Sequence, residues 1–267
     1  MHLTRWGHSG PKVLLVHGSA QGSSLGGDRH FAAQRPLAEQ GWQLIVPDRP
    51  GHGRSPDPGR PDDAEADGAL VADLMRQLPG ERIHVVGHSF GACVALAAVA
   101  GFPEAVLSLT LIEPAMMPMA MNKPVVLRFG LRMLGALFIS RSDGARMRRF
   151  SKLVNIPPEL RGDSGPDELK RVGRAISRLE PPSKQTLLRE LGIIKQAGIP
   201  LLVVSGGWSP AFETVSDAVA ELGAGRRLVI ASPHHFPQQV SDEFNQELAK
   251  FMQESAARKA RLLGTNT

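Results

Sequence analysis

Short aliphatic runs alternate along this chain with longer stretches whose apolar positions recur at helical spacing. The runs are "KVLLVHG" (12–18), "QLIVPD" (43–48), "RIHVVG" (82–87), "LSLTLIE" (107–113), "PLLVVSG" (200–206) and "RLVIAS" (227–232). They are almost continuously apolar, the pattern of strands covered on both faces. Helices are expected between them, around 31–40, 66–78, 90–101, 214–222 and 241–263. This alternation predicts an α/β fold with a doubly wound, mostly parallel sheet. Residues 114–198 break the rhythm, with helical pieces and no strand pattern between two strands. The expected organisation is a core formed by 1–113 and 199–267, with a helical cap or lid inserted at 114–198.

Composition narrows the class. With 42% hydrophobic and 21% charged residues in 267, the chain falls among ordinary globular proteins. The single cysteine, Cys93, excludes an intrachain disulfide and fits a reducing compartment. The N-terminus "MHLTRWGHSG" lacks the apolar core of a signal peptide, and the apolar stretch 125–139 is short and carries Arg128 and Arg132. A cytoplasmic protein is expected.

The net charge of +5 is uneven. Residues 114–196 hold 16 Lys/Arg against 7 Asp/Glu. No nucleic-acid motif or aromatic interleaving accompanies these charges, so no nucleic-acid partner is expected. They read more simply as solvated helix faces than as a membrane contact, which is not favoured. Nothing in the sequence sets the oligomeric state.

Candidate chemistry centres on "RIHVVGHSFGACVALAAVAG", a strand, then Gly87-His88-Ser89-Phe90-Gly91, then a helix of small residues. G-x-S-x-G in a strand–turn–helix context is a nucleophile elbow. The sharp turn lifts Ser89 above the sheet, and the glycines leave room for the chain to double back. "VLLVHGSAQGS" (13–23) ends another strand in a small-residue loop. The backbone N–H groups of Ser19 and Phe90 are the candidate oxyanion hole. Cys93, on the alanine-rich helix after Ser89, reads as core packing.

With "PDRPGHGRS" (47–55) and "HHFP" (234–237), these motifs follow the order found in α/β-hydrolases, and the chain resembles that superfamily over nearly its whole length. The resemblance is to a serine-nucleophile, esterase-like branch with a helical cap inserted after the sixth strand. It implies His235 as general base, with His234 where a glycine is common, and supporting roles for His17 and His52. No metal-ligand spacing occurs, since His84 and His88 lie across a strand and its turn, and no cofactor is implied.

The third catalytic member poses a difficulty. The family usually draws an acid from the loop after the strand "PLLVVSG", yet "SGGWSPAF" places Trp208 and Ser209 there. A neutral serine cannot stabilise an imidazolium. Glu113 ends the strand "LSLTLIE", and "IEPA" resembles a variant with its acid at that strand end. Glu113 is therefore the expected acid, with Glu213 and Asp217 weaker candidates.

Met116, Met117 and Trp208 are candidate substrate contacts, since flexible methionines suit an adaptable apolar pocket. The expected activity is hydrolysis of an apolar carboxylic ester or lactone through an acyl-enzyme. Carbon–carbon hydrolysis, thioester hydrolysis and cofactor-free lyase chemistry are alternatives on the same fold, and a non-catalytic ligand-binding protein is a more distant one.

Overall fold

The computed structural model describes residues 1–264 apart from 19, 79, 81, 162–164 and 241, with 262–264 described as backbone only. Seven strands form one sheet: β1 (Leu3–Trp6), β2 (Lys12–Val16), β3 (Gln43–Pro47), β4 (Ile83–His88), β5 (Val106–Ile112), β6 (Leu201–Ser205) and β7 (Arg226–Val229). Their spatial order is β1-β3-β2-β4-β5-β6-β7, with β1 antiparallel and every other pairing parallel. The six expected strands are all present.

Alternation along each strand explains the two-sided core. Leu201 and Val203 of β6 join the apolar cluster on one face, while Leu202 and Val204 join the cluster on the other. The first face is covered by α3 (Ala64–Gln77), α4 (Phe90–Gly101), α8 (Lys184–Gln196) and α9 (Pro210–Leu222). The second is covered by α10 (Asp242–Gly264) and the short α1 (Gly27–His30) and α2 (Pro36–Glu39). The single helix expected over 31–40 is broken. Pro36 has no N–H to continue a helical ladder, so a 3-10 turn (Ala32–Gln34) ends and α2 restarts at the proline.

Between β5 and β6 lie α5 (Pro124–Phe138), α6 (Asp143–Leu153), α7 (Pro166–Ile176) and α8. No strand occurs there among the described residues, apart from an isolated bridge from Glu180 to Asp63. The insertion follows the fifth strand in chain order, not the sixth, because only four strands precede β5. α6 packs on both α5 and α7. By contrast α8 lies on α4, with Leu187, Leu191 and Ile194 buried in the main core. Among the described residues, no helix is long and apolar enough to cross a membrane.

Strand register sets up the site. His88 at the end of β4 pairs with Ile112 at the end of β5, and Ile112 pairs with Val204 of β6. Whatever follows these strands therefore emerges at one edge of the sheet, the carboxyl edge where α/β proteins build their sites.

Candidate active site

Ser89 occupies the turn between β4 and α4 with φ 55° and ψ −123°, in the left-handed region that costs a non-glycine residue about 1–3 kcal/mol. The two glycines make this turn sterically feasible. A Cβ on Gly91 would lie 2.3 Å from the carbonyl oxygen of His17, and one on Gly87 would lie 2.5 Å from that of Gly91. The Ser89 N–H donates to the Ile112 carbonyl at 2.9 Å, tying the elbow to the end of β5.

His235 is buried with its Nε2 2.9 Å from Ser89 Oγ and its Nδ1 3.0 Å from Glu113 Oε2. Glu113 is fully buried, one residue past β5, at φ 46°, and its N–H donates to Val204. A buried carboxylate is stable only when its oxygens are satisfied. Here Oε1 accepts from the Gly206 N–H at 2.6 Å, and Oε2 accepts from the Trp208 indole N–H at 3.0 Å as well as facing His235. The loop after β6 thus supplies donors to a carboxylate from the neighbouring strand. Ser209 is buried but makes no hydrogen bond to His235 or Glu113 among those described. Glu213 is engaged elsewhere: it accepts from Ser205 and Gly207 and pairs with Arg227 at 2.6 Å. Asp217 pairs with the same arginine.

Buried histidines touch this row and support it. His88 Nε2 is 2.7 Å from the His235 backbone carbonyl, an acceptor only, so Nε2 carries the proton. His88 Nδ1 then accepts from His30 Nε2 at 2.7 Å. Burial pushes both rings well below the ordinary histidine pKa, and the chain of hydrogen bonds is the one two neutral imidazoles make. His17 is held neutral in the same way, donating from Nδ1 to the Gly18 carbonyl and accepting the Arg49 N–H at Nε2. Buried Asp62 joins Arg49 (2.7 Å) to the Gln21 N–H (2.8 Å), fixing the loop after β2.

A cavity of about 390 Å³ opens above Ser89, walled mainly by apolar side chains including Met117, Phe129, Met133, Phe138 and Phe212, with Ser89 and His235 in its lining. The sheet, the elbow and the matched residues 11–143 agree with the family described as alpha/beta hydrolase fold. The chain belongs to the α/β-hydrolase superfamily.

Among relatives of this α/β-hydrolase is lipase LipV of Mycobacterium tuberculosis, 35% identical over 117 residues, 43% of this chain and 42% of that protein. The matched stretch thus spans under half of that relative's length. Similar solved structures include a mutant of N-acyl homoserine lactonase AidH complexed with N-hexanoyl homoserine. It has a TM-score of 0.67 and 22% identity, and the match covers 95% of this chain and 92% of that one. An esterase from Exiguobacterium antarcticum gives a TM-score of 0.71 at 17% identity, covering 94% and 95%. At these identities the structural likenesses establish the fold.

Other expected site residues fall as follows in this α/β-hydrolase. The Phe90 N–H sits in the first turn of α4, where helix N–H groups lack intrahelical acceptors. Ser19 lies outside the described residues; its neighbour Gly18 abuts Ser89, where a Cβ would come within 2.8 Å. Met117 lines the cavity, but Met116 does not, because it is fully buried in the main core. Trp208 is also absent from that cavity wall. It borders a separate groove and turns its indole N–H to Glu113, so its expected substrate contact is corrected to a hydrogen bond with Glu113. His234 Nδ1 accepts the Phe236 N–H and shapes the loop. Cys93 is buried with its thiol pushed up to about 12, chiefly by burial, so it stays protonated.

The support given by His30, His88 and Asp62 was not foreseen. No motif marks these pairings, which join residues 58, 147 and 41 positions apart.

Proposed function

We propose that the protein is a serine hydrolase that cleaves apolar carboxylic esters or lactones through an acyl-enzyme. The observation that carries this reading is the continuous row Ser89–His235–Glu113, at 2.9 and 3.0 Å, under an apolar cavity. Ser89 Oγ attacks the substrate carbonyl carbon while His235 Nε2 takes the hydroxyl proton. Glu113 holds the Nδ1–H and stabilises the imidazolium that forms. The N–H groups of Phe90 and Ser19 hold the developing oxyanion. His235 returns its proton to the leaving oxygen, giving the acyl-enzyme and the alcohol. It then deprotonates a water that releases the acid.

The lipase among the relatives and the lactonase and esterase among the structural neighbours point the same way. In this reading residues 114–198 form the cap. Its α5–α7 part roofs the cavity through residues such as Met133, Phe150 and Val172, whereas α8 rejoins the core.

The test is turnover of p-nitrophenyl esters of increasing acyl length by the wild type and by Ser89→Ala. kcat/KM rises with chain length by up to about 0.8 kcal/mol per buried CH₂ over the short and medium range, and Ser89→Ala abolishes it. A flat or falling profile contradicts an apolar acyl site, and a fully active Ser89→Ala contradicts the nucleophile.

A further inference from the structure

α5 is apolar on two sides. Its inner side buries Val126, Phe129 and Ala136. Leu127, Leu131, Leu134 and Phe138, spaced by four, three and four residues, fall within about 60° of one another on its outer side. They form an exposed stripe that Ile139 extends: Leu131 is 61% exposed, Phe138 63% and Ile139 76%. Single exposed leucines are ordinary, whereas a contiguous stripe with a polar rim marks an interaction surface.

Two further observations specify the occupant. The first is charge. Residues 114–142 contain Lys123, Arg128, Arg132 and Arg141 and no acidic residue. A groove of about 550 Å³ beside α5 adds Arg149 and Lys152 to Arg132. Apolar side chains bordered by cations suit the plane between acyl chains and anionic headgroups. A second copy of the chain suits it less well, because symmetric pairing would set these cations against themselves. The second observation is continuity: Leu134 and Phe138 belong both to the exposed stripe and to the wall of the cavity that holds Ser89.

We propose that the outer face of α5, with its apolar stripe and basic rim, docks the protein on the surface of an anionic lipid bilayer, with the cavity opening toward it. This revises the expectation that the basic residues are solvated helix faces. Docking itself does not depend on the serine-hydrolase reading; only its use, delivery of a membrane-partitioned ester to Ser89, rests on it.

Co-sedimentation with vesicles tests the proposal, using the full chain carrying Ser89→Ala so that no lipid is consumed. The protein binds vesicles of equal parts phosphatidylglycerol and phosphatidylcholine, binds phosphatidylcholine alone far less, and is released by added salt. Leu131→Glu with Ile139→Glu, neither in the cavity wall, weakens binding by at least about tenfold. Arg128→Ser with Arg132→Ser weakens it specifically on the anionic vesicles. Both double variants keep the wild-type unfolding midpoint within a few degrees, and a binding loss that coincides with unfolding counts against the proposal. Failure of the unsubstituted face to sediment, or unchanged sedimentation of both double variants, overturns it. So does a concentration-dependent dimer that Leu131→Glu dissolves without any vesicle binding, which would assign the face to a second copy. If vesicle binding holds while Ser89→Ala leaves ester turnover intact, the docking stands and the hydrolase assignment fails.

Discussion

At the scale of single residues, Glu113 is the unusual member of the proposed triad, and its surroundings support that role. Three donors converge on a carboxylate with no solvent access: the Gly206 N–H, the Trp208 indole and His235. Glu113→Gln keeps the shape and loses the charge that balances an imidazolium. It is expected to cut kcat by about 10²–10⁴-fold with little change in KM. Trp208→Phe keeps the ring packed near Phe212 and removes one donor to Glu113, so kcat falls about tenfold. Ser209→Ala and Glu213→Gln stay within about tenfold of wild type in steady-state kinetics, because neither touches His235. A collapse confined to Glu213→Gln would return the acid to the loop after β6.

At the scale of elements, α8 carries a second consequence. Glu190 is buried against α4, and burial, then repulsion from Glu65, raises its carboxyl to about 7. A carboxyl raised in the folded state contributes stability that is complete below its unfolded value and lost as pH climbs through the folded one. Glu190→Gln is therefore expected to raise stability at about pH 8 by on the order of 1–3 kcal/mol, and to have little effect near pH 4, as read from urea unfolding. Elements were unevenly legible from sequence. The five inner strands, β2 to β6, were readable because both faces are largely buried and the apolar runs are unbroken. By contrast β7, the second edge, is partly exposed and was readable only from its short run Leu228-Val229-Ile230. β1 was not, because Leu3–Trp6 is a partly exposed edge with only two apolar residues. α8 read as part of the insertion because amphipathic spacing does not say which layer a helix faces. Ser89 was legible because its turn requires local glycines, and His235 and Glu113 because they follow strands. The Trp208 hydrogen bond joins residues 95 positions apart, and no local pattern encodes it.

At the scale of the whole molecule, three buried neutral histidines, His17, His30 and His88, brace the loops around the elbow. Their folded pKa values are depressed below 6.5, so the unfolded chain binds more protons as pH falls. Stability is then fully present above about pH 6.5 and declines below it, by up to about 1.4 kcal/mol per pH unit for each ring. His84 and His234, also lowered by burial, act in the same sense, while Glu190, Asp62 and Asp67, raised by burial, act in the opposite one. With five groups against three, the unfolding midpoint should still fall between about pH 7 and pH 5. A flat or rising midpoint in that range would mean these rings are not buried neutral. The central claim concerns one covalent bond, and the most direct measurement is peptide mapping by mass spectrometry after reaction with a fluorophosphonate probe. One adduct per chain on Ser89 is expected, absent from Ser89→Ala and formed at least about 10²-fold more slowly in Glu113→Gln. An adduct on another residue, or labelling of undiminished extent in Ser89→Ala, would contradict the assignment of Ser89 as nucleophile.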